Sequence, residues 1–198
     1  MNKKNGFTLV EVLVAIAIFS TAIMVVFSIF VNSQNLQQRT LAIQRGQSDA
    51  RYALELMLKE FRLGEVDYEY SGYAGGISSP VSELSLRNNQ GVPVRFKLEG
   101  GVIKICNSFS QEGINQNESE SCTSWSAITP TNITIDRLDF YIDPEEDPYD
   151  LDELTGLYAG GDKQEFLTIV LESTVFQNKG DDYQVKFQTS VSSRVYKR

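Results

Sequence analysis

The sequence predicts an α+β fold, with one long N-terminal helix whose second half lies on an antiparallel, β-rich head. Three observations carry this. From Val12 to Val31 only Ser20, Thr21 and Ser28 are polar. Helical spacing of apolar residues then continues to Leu63, and no proline occurs before Pro80. Beyond Gly64 the pattern changes to alternation punctuated by Gly, Asn and Ser, which is the signature of strands and tight turns.

The apolar run is the organising element. About 20 apolar residues at 1.5 Å rise cross a hydrocarbon layer of ~30 Å, so residues 7–31 are expected to span a membrane as one helix. Lys3 and Lys4 precede the run, and after Glu11 the next charge is Arg39. Positive charge is retained on the cytoplasmic side, which directs the N-terminus to the cytoplasm and the head to the periplasm or cell exterior. Glu11 is the anomaly, because a lone carboxylate within an apolar helix costs on the order of 2.5–3.5 kcal/mol on insertion scales. It calls for a cationic partner.

The stretch Lys3-Lys4-Asn5-Gly6-Phe7-Thr8-Leu9-Val10-Glu11 resembles the class III signal of type IV prepilins and pseudopilins: a short basic leader, a glycine, an aromatic residue, and a glutamate fifth from the cut. The resemblance implies a leader at 1–6, cleavage by a prepilin peptidase after Gly6, and N-methylation of the new first residue, Phe7. It also implies that Glu11 meets the terminal amine of a neighbouring subunit during fibre assembly. The physics agrees, since a buried ammonium and a buried carboxylate are each strongly disfavoured alone. Pairing them between axially staggered neighbours selects a non-closing contact, which makes a filament. A Sec-type signal cut near Ala22 is the competing reading. The carboxylate in the apolar run and its continuation to Val31 argue against it.

Residues 32–64 are expected to continue the helix out of the apolar layer. Ala50, Leu54, Met57 and Phe61 form a stripe, flanked by Ala53 and Leu58, that should pack on the head. Gly46 marks a bend and Gly64 a C-cap. The segment Arg51 to Arg62 is similar to the second helical half of W-type minor pilins and J-type minor pseudopilins, as the closing stretch Phe187 to Val195 is to their last strand. The absence of a proline in the apolar half departs from major pilins and fits a minor subunit.

Residues 65–198 form the expected head. Tyr68 to Pro80 reads as a loop whose tyrosines Tyr68, Tyr70 and Tyr73 cover the helix–sheet joint or offer a contact surface. Strands are expected over Ser82 to Arg87, Val92 to Leu98, Val102 to Ile105, Asn132 to Asp143, Glu165 to Phe176 and Tyr183 to Val195. They should make one antiparallel sheet of several strands. Cys106 and Cys122 flank a polar loop on the oxidising side of the membrane. A disulfide that staples it is expected, with two free thiols or a metal site as alternatives.

The segment Asp143 to Glu153 is dense in carboxylates, and Asp147, Asp150 and Asp152 are candidate hard-oxygen ligands for calcium. The spacing is not that of an EF-hand, and clustered acids are more often a solvated loop, so no cofactor or metal is expected. The formal charge is −8 and there is no histidine. The first argues against a nucleic-acid surface, and the second removes the commonest general base and metal ligand. No nucleophile elbow or phosphate loop occurs, so the chain is not expected to be an enzyme.

The resemblance implies the function of a minor pilin or pseudopilin, which initiates or caps a fibre in pilus biogenesis, DNA uptake or type II secretion. Its partners would be other pilin subunits, the peptidase, an inner-membrane assembly platform and membrane lipid. The alternative is an uncleaved, membrane-anchored binding module.

Overall fold

A computed structural model describes residues 6–73, 76–107, 109–110, 121–150, 163–176 and 182–194. The first part of the leader, the polar residues 111–120 between the cysteines, Asp152, the turn at Asn178-Lys179-Gly180 with Asp181, and Val195 lie outside them. One helix, α1 (Leu9–Leu63), runs through two compact units divided between Ala42 and Ile43.

Within the first unit almost every described residue of α1 is exposed. Its large apolar residues are exposed all round, Leu13 at 61%, Phe19 at 66% and Phe27 at 65%. A helix that is apolar on every side is built for a non-aqueous surrounding. By length and composition it can cross a membrane, with a mean hydropathy of 2.7 in its most apolar window.

The second unit is built on the amphipathic part of α1. Gly46, Ala50, Ala53, Leu54, Met57 and Phe61 are its buried residues, the stripe that the spacing predicts. They join a core completed by Leu84, Leu86, Phe96, Ile103, Ile133, Ile135, Phe140, Leu167, Ile169 and Leu171. Gly46 carries no side chain because none would fit. A Cβ there would lie 2.4 Å from Val175 Cγ2 and 2.9 Å from Val175 Cγ1. α1 is continuous through this residue, so the glycine serves close packing of helix on sheet in place of the expected bend.

Gly64 also departs from expectation. It is not among the glycines of positive φ, which are Gly76, Gly91, Gly100 and Gly101, so it is no left-handed cap. Its added Cβ would sit 2.4 Å from the Arg87 carbonyl oxygen. The residue lets the helix end run directly against a strand.

The strands are β1 (Glu65–Val66), β2 (Glu83–Arg87), β3 (Pro93–Glu99), β4 (Val102–Cys106), β5 (Phe109–Ser110), β6 (Ser121–Cys122), β7 (Ser126–Ala127), β8 (Ile133–Asp143), β9 (Phe166–Val175) and β10 (Tyr183–Ser192). The expected single sheet is instead divided. One sheet has the order β1-β2-β3-β4-β7, a second has β10-β9-β8, and β5 pairs with β6 as a ribbon. Every pairing among the described strands is antiparallel. The division arises because the edge of β8 away from β9 is met by the β3–β4 turn and by a single bridging residue ahead of β2, and not by a further strand. Val81 and Phe140 exchange backbone hydrogen bonds of 2.8 and 3.1 Å, and Ile135 donates to the Gly101 carbonyl at 2.8 Å. Gly100 and Gly101, at φ +63° and +75°, make the tight β3–β4 turn that a side chain would strain.

The second face of the first sheet is covered by the segment after β1. Ser85 and Arg95 are register partners and are buried on the face opposite Leu84, Leu86 and Phe96. Asp67, itself buried, accepts from Ser85 Oγ at 3.1 Å and from Arg87 Nε at 2.9 Å. The Arg95 guanidinium lies 4.1 Å from the Tyr70 ring centre and its Nε donates to Ser85 Oγ at 3.3 Å. A buried charge is tolerable only with this density of partners.

Candidate functional site

The residues singled out at the N-terminus are built from the helix start. Gly6 and Phe7 precede the helix, and both are exposed. Nothing lies within 4 Å of a Cβ built on Gly6. Thr8 is the N-cap: its Oγ1 accepts from the Glu11 amide at 3.3 Å, and its carbonyl accepts from the amides of Glu11 and Val12 at 3.1 and 3.3 Å. Thr8-Leu9-Val10-Glu11 has the spacing of a capping box, so Glu11 stands at the third helical position. A carboxylate in the first turn is favoured by the helix dipole. The reading from sequence treated Glu11 only as a charge seeking a partner. The threonine three residues before a glutamate, ahead of an apolar run, was the signal for the cap.

The arrangement therefore presents a stretch of backbone outside the helix at Gly6-Phe7, next to a capped helix that holds one carboxylate at a fixed height. Both Gly6-Phe7 and Glu11 are open to solvent on this helix start.

Cys106 and Cys122 form a disulfide, with a sequence separation of 16. Cys106 is buried in β4, and the bridge connects that strand to β6.

The acidic segment lines an open cleft of about 680 Å³ with the tyrosines. Glu69, Glu145, Glu146, Asp147 and Asp150 contribute carboxylates to it. Asp147 Oδ1 is already engaged by the Tyr149 amide at 2.8 Å. Among the described residues no group of three potential ligands converges on a metal position, and Asp152 is not among those residues.

The tyrosines are covers with anchored hydroxyls. Tyr68 donates to the Pro144 carbonyl at 3.0 Å, Tyr70 to Glu83 Oε1 at 2.8 Å and Tyr73 to the Glu83 carbonyl at 3.1 Å. Burial pushes all three phenols upward. For Tyr70 the value is about 12, with the Glu83 hydrogen bond adding to the effect of burial. For Tyr68 the next contribution after burial is the negative charge of Glu165. For Tyr73 the Ser85 amide opposes the rise.

Residues 1–27 match the family model described as the prokaryotic N-terminal methylation motif. No curated protein and no solved structure matches the chain.

Proposed function

We propose, for a chain that carries a type IV pilin-like prepilin signal, that it works as a minor pilin or pseudopilin. It is cut after Gly6, N-methylated at Phe7 and drawn into a fibre through Glu11. The match over residues 1–27 is the observation that carries this reading. The apolar part of α1 supports it, since such a motif on such a helix fits a membrane-anchored pilin-like protein.

The mechanism follows from charge. Cleavage creates an α-ammonium at Phe7, one residue outside the Thr8 cap, while Glu11 sits about one turn further along the helix. Within an apolar layer each charge is costly alone. Glu11 of one subunit is matched by the Phe7 amine of a neighbour offset along the axis. Repeating the offset builds a helical array of subunits, with the heads on the outside and the apolar helices forming the shared core. In the membrane, lipid surrounds the same helix, and an assembly platform and its ATPase would move the subunit from one surrounding to the other. The protein works as a structural part and needs no catalytic group of its own.

Mass spectrometry of the N-terminal peptide from native membranes tests processing. N-methylated Phe7 as the first residue is expected, and an intact Met1 would support the membrane-anchored binding module. Glu11→Val should remain in the membrane and be depleted from sheared filaments. Incorporation equal to that of the unaltered chain would refute the pairing.

A further inference from the structure

We infer that the outer edge of β10 is a docking site for an extended, carboxylate-bearing segment of another polypeptide, which adds to the second sheet as a further strand. β10 spans 10 residues and pairs on one side only, with β9. Which backbone groups face outward follows from the ladder. The Ser193 amide donates to the Glu165 carbonyl at 3.0 Å, and the register from Tyr183↔Val175 to Ser192↔Phe166 has no bulge. In an antiparallel pair the bonded residues alternate. Odd-numbered residues of β10 therefore bond to β9, and Gln184, Lys186, Gln188, Ser190 and Ser192 turn their amides and carbonyls away from the sheet. No described residue makes a hydrogen bond to these backbone groups.

The other sheet edges are protected. β1 and β7 have 2 residues each, and the free side of β8 is taken by Val81 and Gly101. Natural proteins blunt long edges with proline, bulges, inward charges or covering segments. β10 has no proline and no bulge, and its one charge is Lys186. A long edge that no described residue covers is a template for strand addition.

The charge around this edge selects the occupant. In a chain of net charge −8, β10 is bordered by cations. Arg51 lies over the Phe187 ring at 5.9 Å. Beside the strand's last residues an open cleft of about 430 Å³ is lined by Arg62, Phe166, Ser190, Val191, Ser192 and Arg194. Arg51, Arg62 and Arg194 make no ion pair among the described residues. Among the described residues the acidic groups at the strand are Glu172, which holds Lys186 at 3.1 Å, Asp182 before its first residue, and the buried Glu165 opposite Ser193, whose carboxylate is engaged by the Val66 amide. An incoming strand thus meets backbone donors and acceptors along its length and, at the Ser192 end, a cleft lined by two arginines that favours a carboxylate. The site lies wholly in the second compact unit and does not depend on cleavage at Gly6.

The test uses the full chain in detergent micelles and two labelled, strand-length peptides of alternating Thr and Val with blocked ends. One carries glutamates at one terminus and the other carries lysines. Fluorescence anisotropy should show the acidic peptide binding at least about tenfold more tightly, with the difference shrinking as salt rises. Gln188→Pro removes one outward amide at a position where an edge strand accepts proline. It should weaken binding about tenfold while the thermal midpoint is held. Arg62→Glu with Arg194→Glu changes only exposed side chains and should reverse the preference between peptides. Equal affinity for the two peptides, or acidic-peptide binding that neither variant alters, would overturn the assignment. So would a chain that dimerises through β10 and becomes monomeric on Gln188→Pro, because the edge would then be filled by a second copy.

Discussion

Replacing Gly46 by alanine should destabilise the head, although alanine is the better helix former. At an exposed helical site the change would stabilise by about 1 kcal/mol. Here the new methyl would lie 2.4 and 2.9 Å from the two methyls of Val175 and 3.1 Å from Ile133 Cγ2. Rotating Val175 gives no relief. Two methyls share three staggered positions, so at least one of the two clashing positions is occupied in every rotamer. The helix must lift from the sheet, and overpacking of this kind costs about 1–3 kcal/mol. With several buried neighbours moving together, the upper part of that range applies, leaving a net loss of about 1–2 kcal/mol. For a head of this size that lowers the thermal midpoint by roughly 3–6 °C. The diagnostic assay is a double-mutant cycle followed by thermal unfolding. Val175→Ala alone costs roughly 1.5–2 kcal/mol in lost burial, but it removes both obstructing methyls. Gly46→Ala should then be neutral or stabilising in the Val175→Ala background, giving a favourable coupling of about 1–3 kcal/mol. A midpoint raised by Gly46→Ala alone, or additive effects in the cycle, would refute the close approach of helix and sheet.

Three further outcomes are expected. Cys106→Ser with Cys122→Ser opens a loop of sequence separation 16 and should cost about 3 kcal/mol on the chain-entropy model, measured as a fall in the denaturant midpoint with the slope almost unchanged. Ser173 Oγ is buried without a hydrogen-bond partner among the described residues, so Ser173→Ala should stabilise the head by about 1 kcal/mol; a loss of stability there would reveal a partner for the hydroxyl. Finally, Tyr70 keeps its proton to a pH of about 12 because of burial and its bond to Glu83, whereas an unfolded tyrosine ionises near 10. Above pH ~10 the unfolded chain sheds protons that the fold retains, so stability is complete below ~10 and falls as pH rises toward ~12. Tyr68 and Tyr73 extend the loss in the same direction. Phenolate absorbance should rise together with unfolding, and Tyr70→Phe should flatten the slope of stability against pH.

The parts of the fold that repeat with a period were legible in the sequence. The stripe from Ala50 to Phe61 appeared as a helical face, and the alternation in β8, β9 and β10 appeared as strands, because each residue's side of the element follows from its position alone. What depended on distant partners was not legible. The roles of Gly46 and Gly64 required knowing that Val175 and the Arg87 carbonyl would approach them. Arg95 sits between Val94 and Phe96 and reads as a solvent-facing residue; only the segment carrying Asp67 and Tyr70 buries it. The division of the sheet was likewise hidden, since nothing in the β8 sequence says that a turn and a bridging residue, and not a strand, will meet its edge. At the N-terminus Gly6, Phe7 and Glu11 were recognisable by their spacing, and Thr8 could have been recognised by the same means.

The end of α1 is secured by residues distant in sequence. Ser193 Oγ donates to the Gly64 carbonyl across a separation of 129 residues, and the Ser193 amide donates to Glu165. Glu165 in turn accepts the Val66 amide through its carboxylate at 3.3 and 3.4 Å, and Gln164 Nε2 donates to the Ser193 carbonyl. A chain delivered from its N-terminus presents Gly64 and Val66 long before Glu165 and Ser193 exist to receive them. The inner face of the helix therefore stays unsatisfied until synthesis has passed both Glu165 and Ser193. A chain cut before Ser193 keeps β1 to β10 yet lacks the clasp, and its helix–sheet joint opens to proteolysis.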